Sequence, residues 1–291
     1  MSRSGILVLD KPVGVTSRKV VDAVVRLVRP AKAGHAGTLD PLASGVLVVC
    51  VGRATRLVEY VQRMPKSYRG AFLLGRTSPT EDVEGEVQEL LDPPKPTIGQ
   101  LRDACRRLTG RIMQRPPGFS ALKVAGRRAY ELARSGKTVD LKPREVTIHK
   151  LTIDRYDYPE LELSVVCGSG TYIRSLGRDL AESVGTAAVM SALRRTAIGA
   201  FSIDRACPLE QLSQDTLPER LLPARLAVAL PTLQLTAEEA TLVSHGVRIR
   251  RENVENESEW AALGPDGELA AVLQPTADGE LRVVRNVTPV K

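Results

Sequence analysis

The chain opens on an unbroken apolar run, Gly5-Ile6-Leu7-Val8-Leu9, which is the length of a buried strand and too short for a helix. From Thr16 the rhythm changes. Val20, Val21, Val24, Leu27 and Val28 share one face of a 3.6-residue repeat, so a helix is expected to Arg29, capped by Thr16 or Ser17. Lys32 and Ala33 approach the next turn as a strand, and Val46 to Val51 is a second apolar strand. Arg53 to Met64 reads as a helix, Ser67 to Leu74 as a strand and Arg76 to Gly85 as turn-rich chain. Thr97 opens a helix with Gln100 in capping-box position and an apolar face of Ile98, Leu101, Cys105 and Leu108. After the break at Gln114 to Gly118, a short helix is expected from Arg127 to Arg134. Val146 to Tyr156 and Leu161 to Cys167 alternate like paired antiparallel strands. Thr171 to Val184 places Ile173, Leu176, Leu180 and Val184 on one helical face. Ala188 to Arg195 and Ala200 to Ile203 return to strand. Helices and strands mix without regular strand–helix–strand spacing, so the expected class is α+β with a mainly antiparallel mixed sheet.

Pro223, Pro231 and short glycine-spaced apolar runs divide the chain into 1–228 and a small β-rich module at 229–291. Charge follows the same division. Residues 231–291 hold 6 Lys/Arg against 10 Asp/Glu, whereas the first 230 hold 35 against 24. Most of the excess lies in Leu101 to Lys150, with 13 against 4, which is the charge pattern of a surface that grips a polyanion or of a solubilising face. No apolar run approaches membrane-spanning length and no signal peptide is read at Met1, so no membrane association and a cytoplasmic location are expected. Cys50, Cys105, Cys167 and Cys207 lack metal-ligand spacing. Cys167 has no activating neighbour in sequence and reads as packing. No metal site and no cofactor are expected.

One loop concentrates the chemistry. Gly34-His35-Ala36-Gly37-Thr38-Leu39-Asp40-Pro41-Leu42-Ala43-Ser44-Gly45 sets a single carboxylate among glycines. Gly34, Gly37 and Gly45 permit backbone conformations closed to other residues, and Pro41 keeps Asp40 out of helical dihedrals. Asp40 is therefore either a group held for chemistry or a turn residue capping a backbone N–H.

Lys11-Pro12, the run from Gly34 to Pro41, Lys66-Ser67-Tyr68, Ser78 to Gly85, Phe119-Ser120-Ala121-Leu122-Lys123, Cys167 to Arg174 and Leu193-Arg194-Arg195 occur together in order and spacing. In this combination the chain resembles the bacterial tRNA pseudouridine-55 synthase (TruB) family. The resemblance runs from about Gly5 to Phe201, with Ala36 where the family often has Thr and Ser169 where it often has Lys. It implies a pseudouridine synthase fold with a basic RNA-clamping insertion at about 110–146, and a PUA-like C-terminal domain that is matched only loosely. The implied reaction is isomerisation of uridine 55 in the T-loop of tRNA, with the target base flipped out and no cofactor.

The resemblance also implies roles. Asp40 is the nucleophile, attacking either C1′ of the sugar or C6 of the base. Arg174 is its bidentate partner, and Tyr68 stacks on the uracil. Tyr172 and Leu193 line the pocket, and His35 steadies the space left by the flipped base. Lys11 and Asp82 shape the floor and loop. Arg106, Arg107, Arg111, Arg115, Lys123, Arg127, Arg128 and Lys137 meet phosphates of the T-arm stem-loop. The expected protein is a monomer with no obligate protein partner. Two other readings stay open from sequence: an RNA-folding helper that retains the pocket, and a guide-RNA-dependent relative.

Overall fold

The apolar run Gly5–Lys11 is a strand. It pairs antiparallel with Ala43–Val51, Gly5 opposite Val51 and Lys11 opposite Gly45. The short strand Ala33–His35 lies on the opposite edge, with His35 across from Val49. Helix Ser17–Val28 lays Val20, Val21, Val24 and Val28 over Leu7, Leu9, Leu47, Val49 and Val51. Each buried valine contributes about 1.5–3 kcal/mol of hydrophobic stabilisation. Thr16 is the N-cap, accepting from Lys19 N.

The computed structural model describes residues 4–119, 123–124, 127–128, 141–251 and 259–288. They fall into two compact units, one of Met1–Pro41, Gly45–Arg63 and Ile203–Lys291, the other of Leu42–Ser44 and Met64–Ser202.

In the first unit, Cys207 and Pro208 run parallel to Leu9 and Asp10. Ile6 N donates to Leu222 O at 2.9 Å and Leu222 N to Ile6 O at 2.8 Å. The C-terminal part is a sheet in the order Thr232–Gln234, Trp260–Leu263, Leu269–Pro275, Glu280–Asn286, Ile249–Arg250. Its core gathers Leu235, Val243, Ile249, Ala262, Leu273 and Leu281. Helix Ala237–Ser244 adds to this sheet, closed by a capping box between Thr236 and Glu239 that the sequence reading did not include. Arg285 pairs with Glu59 at 3.0 Å and Arg56 Nη1 donates to Asn286 O at 2.7 Å, so the sheet is tied to the helical turn of residues 52–63.

The second unit is an antiparallel sheet in the order Ala188–Ile198, Lys66–Leu74, Glu160–Cys167, Arg144–Asp157, Gly110–Gln114. Lys66, Tyr68, Gly70 and Phe72 share one face, because side chains alternate along a strand. Helix Ile173–Glu182 packs there through Gly177, where an added Cβ would lie 2.0 Å from the Phe72 ring. The α+β class and mainly antiparallel pairing are as expected.

Several details differ from the sequence reading. Residues 53–64 begin as a 3₁₀ helix, Gly52–Leu57, and continue as Val58–Arg63. Ile98 is exposed, since it begins the helix Ile98–Arg107, and Ala104 joins Leu101 and Cys105 on the buried face. Arg127–Arg128 is a strand paired with Lys123–Val124 rather than the start of a helix. Residues 129–134 lie outside the described residues.

Two predictions test this packing. Gly177→Ala should destabilise the chain by about 1–3 kcal/mol despite alanine's better helix propensity, because the methyl group meets Phe72. Chemical denaturation measures this, and Phe72→Leu in the same chain should recover part of the loss. Lys66 and Arg195 are both buried on the sheet. Burial first, then the nearby Arg195, pulls the Lys66 amine down from 10.5 to about 8, against an opposing effect of Cys167. Below about pH 8 folded and unfolded chains both hold this proton. Between about 8 and 10.5 only the unfolded chain does, so stability rises with pH across that window. Thermal unfolding should show the wild type gaining on Lys66→Met from pH 8 to 10. A constant gap contradicts the burial effect.

Candidate active site

Asp40 follows the strand Ala33–His35 and precedes Ala43–Val51. Both of its neighbours are pinned. The Ser17 hydroxyl, in the first turn of its helix, donates to Leu39 O at 3.0 Å and accepts from Leu39 N at 2.9 Å. Pro41 O accepts from Gly14 N at 2.8 Å. The Lys11 ammonium, fully buried, donates to Val15 O at 2.6 Å, to Pro12 O at 2.8 Å and to Pro41 O at 3.5 Å. Lys11 therefore braces the backbone after Asp40. Between these anchors the Asp40 side chain is half-buried.

Gly37 at φ 132° and Gly45 at φ 101° have the backbone freedom expected of this loop. Gly34 does not need it. It lies within a strand, opposite Cys50, with open space where a Cβ would stand. His35 is half-buried, and its Nδ1 accepts from Gly37 N at 3.4 Å.

Tyr68, Asp82, Tyr172, Arg174 and Leu193 belong to the second unit. Tyr68 is half-buried, opposite Val165 on one side and Arg195 on the other. Leu193 is buried opposite Gly70 and so shares the Tyr68 face. The Tyr172 ring takes the Arg144 guanidinium 5.0 Å from its centre. Its backbone is fixed by Gln114, which accepts from Tyr172 N at 2.8 Å and donates to Tyr172 O at 3.1 Å.

Asp82 and Arg174 are brought together. Arg174 Nη1 lies 3.4 Å from Asp82 Oδ2, and both side chains are buried. Arg174 also donates to Thr80 O at 2.7 Å and Phe119 O at 3.0 Å. Asp82 accepts from Thr80 Oγ1 at 2.6 Å and Glu84 N at 3.1 Å. The sequence reading assigned Asp82 to the shape of the loop and did not pair it with Arg174. Its bond to the N–H two residues on is the Asx turn that Thr-x-Asp-x-Glu could have signalled.

Burial pushes the Cys167 thiol up to about 11, with Thr171, Lys66 and Arg195 acting in the other direction. It is a packed thiol, in agreement with the reading against a nucleophile. Arg106, Arg107, Arg111 and Arg115 are exposed. Lys123, Arg127 and Arg128 are described only as strand backbone, and Lys137 lies outside the described residues.

Along most of its length the chain is similar to known proteins. Residues 25–173 match the TruB family pseudouridylate synthase (N terminal domain). Residues 174–229 match the tRNA pseudouridylate synthase B C-terminal domain, and 230–287 the tRNA Pseudouridine synthase II, C terminal. The tRNA pseudouridine synthase B of Thermobifida fusca is 41% identical over 288 residues, 96% of this chain and 97% of that one. Its namesake from Arthrobacter sp. is 42% identical over 284 residues, 93% and 92%. A chain from a Cbf5-Nop10-Gar1 complex shares the fold, with TM-score 0.75 and 24% identity over 98% of this chain and 85% of that one. The chain belongs to the TruB family of pseudouridylate synthases, which are isomerases.

Proposed function

We propose that this protein converts uridine 55 in the T-loop of tRNA to pseudouridine, with Asp40 as nucleophile. The observation that carries the reading is the pair of backbone anchors around a half-buried Asp40, in a chain of a pseudouridylate synthase family. A carboxylate has an ordinary pKa of about 3.9 and needs no general base to be a nucleophile at neutral pH. The reaction breaks the N1–C1′ bond, turns the base and joins C5 to C1′. It neither oxidises nor reduces the nucleoside: C5 gives up its proton to solvent, N1 takes one up, and the bond formed to the Asp40 carboxylate is broken again before the product leaves.

Arg174 and Tyr68 are the catalytic companions of Asp40 in this reading. Arg174 supplies a permanent positive charge, and Tyr68 supplies a ring to lie against the uracil. Tyr172, Leu193 and His35 contact the target nucleotide, Lys11 and Asp82 hold the site's backbone, and Lys123 contacts the RNA backbone. The base must leave its stack to be reached, at a cost of a few kcal/mol. His35 offsets part of that cost by occupying the vacated space. The exposed arginines 106, 107, 111 and 115 begin the basic segment that meets phosphates, and shape rather than sequence selects the T-arm. Residues 229–291 act as a PUA-like module whose acidic balance makes a minor contribution to RNA binding. The protein acts as a monomer in the cytoplasm, without an obligate protein partner.

Tritium release from tRNA carrying 5-tritiated uridine tests the reaction. The wild type should release tritium, with the label lost at position 55, and Asp40→Asn should release none while binding tRNA within about threefold of wild type. A wild type that binds but does not release tritium rules out the proposal. A comparable collapse of binding in Asp40→Asn would make Asp40 structural. The phosphate grip makes a separate prediction. Affinity for tRNA should fall at least about tenfold between roughly 50 and 200 mM salt, measured by filter binding.

A further inference from the structure

Arg178 has no part in the chemistry above, yet it is held much as Arg174 is. It lies one turn further along the helix Ile173–Glu182, on the same face. Its guanidinium pairs with Glu81, donates to Asp179 through Nε at 3.0 Å and Nη2 at 2.8 Å, and donates through Nη2 to Arg115 O at 2.8 Å. Arg174 repeats the pattern with Asp82 and with Phe119 O. Two guanidinium forks thus tie the same two segments to one helix. One segment is the turn from Ser78 to Gly85. The other is Arg115 to Phe119, inside the basic segment.

The anchor for Arg178 is itself rigid. Glu81 is a non-glycine residue at φ 62°, in the left-handed region. Its carbonyl accepts from Met190 N at 3.0 Å and its N donates to Ser78 O at 3.0 Å. Its carboxylate accepts from Ser175 Oγ at 3.0 Å as well as from Arg178. A fork fixed to so constrained an acid holds its other end, the Arg115 carbonyl, in one place.

We propose that Arg178, anchored on Glu81, is a positioning residue that fixes the main chain at Arg115 and so sets how the exposed Arg111 and Arg115 meet tRNA. It acts through the Arg115 main chain and touches no reacting atom. The inference rests on the RNA-modifying reading above.

Arg178→Lys keeps a positive charge beside Glu81 but loses the planar fork that reaches Glu81, Asp179 and Arg115 O together. Steady-state tritium release should show KM for tRNA raised by about tenfold, with kcat within about twofold of wild type. Hydrogen exchange of the amides from Arg111 to Phe119 should quicken, while those of helix Ile173–Glu182 stay protected. An unchanged KM, a loss confined to kcat, or unchanged exchange at 111–119 overturns the proposal. Glu81→Gln keeps the size and the bond from Ser175 and removes the charge. It should shift KM and exchange in the same direction by a smaller amount, and no shift at all also overturns the proposal. Wild-type protein that binds tRNA and releases no tritium would instead remove the reading of function, and the exchange comparison would still decide what Arg178 holds.

Discussion

The Ser17 hydroxyl bonded to both the N–H and the carbonyl of Leu39 is the constraint on which this site depends. Bonds made to the peptide groups on either side fix the direction in which the Asp40 side chain leaves the backbone. Gly14 N and the Lys11 ammonium do the same for Pro41. The cost of burying the Lys11 charge is offset by strong charge-assisted bonds to carbonyls. A valine at position 17 would fill the space and leave two buried backbone groups unsatisfied.

The second unit solves a different problem, that of drawing arginines largely out of solvent. Arg174 and Arg178 each combine an acid with neutral carbonyls. The acid lowers the electrostatic cost of burial, and the carbonyls accept N–H groups that would otherwise be unsatisfied. Distributing the donors in this way joins segments far apart in sequence. Residues 80–82, 115–119 and 174–178 become one framework. Burial first, and then the nearby Arg195, lower the Lys66 pKa.

What the sequence made legible was local. The valine stripe, the Thr16 and Thr97 caps and the alternation of residues 146–167 depend on neighbours within a turn or across one hairpin, so a single chain displays them. Gly110–Gln114 escaped because it ends the sheet order, with one paired edge and mostly exposed side chains, and so carries no clean alternation. The Asp40 loop stood out through its glycines. The bonds that fix it did not, because Ser17 and Leu39 are 22 residues apart and nothing in a serine's surroundings names its partner. The motifs pointed to the catalytic family, and the comparisons established it. The pairing of Asp82 with Arg174 joins two of those motifs, and only folding reveals it.

Arg178 stands one turn on from Arg174, and two arginines so placed are what a solvated helix face looks like. The same spacing is also what two parallel forks require, since residues four apart point the same way. What separates the two cases is whether acids lie opposite. Glu81 and Asp82 are adjacent in sequence, and adjacent residues in an ordinary strand would point to opposite faces. The left-handed conformation of Glu81 breaks that alternation, and its carboxylate and that of Asp82 both reach the helix. A strained residue thus lets one short turn meet two successive arginines. The strain is sustained because the ion pairs and the Met190 bonds hold it from both sides.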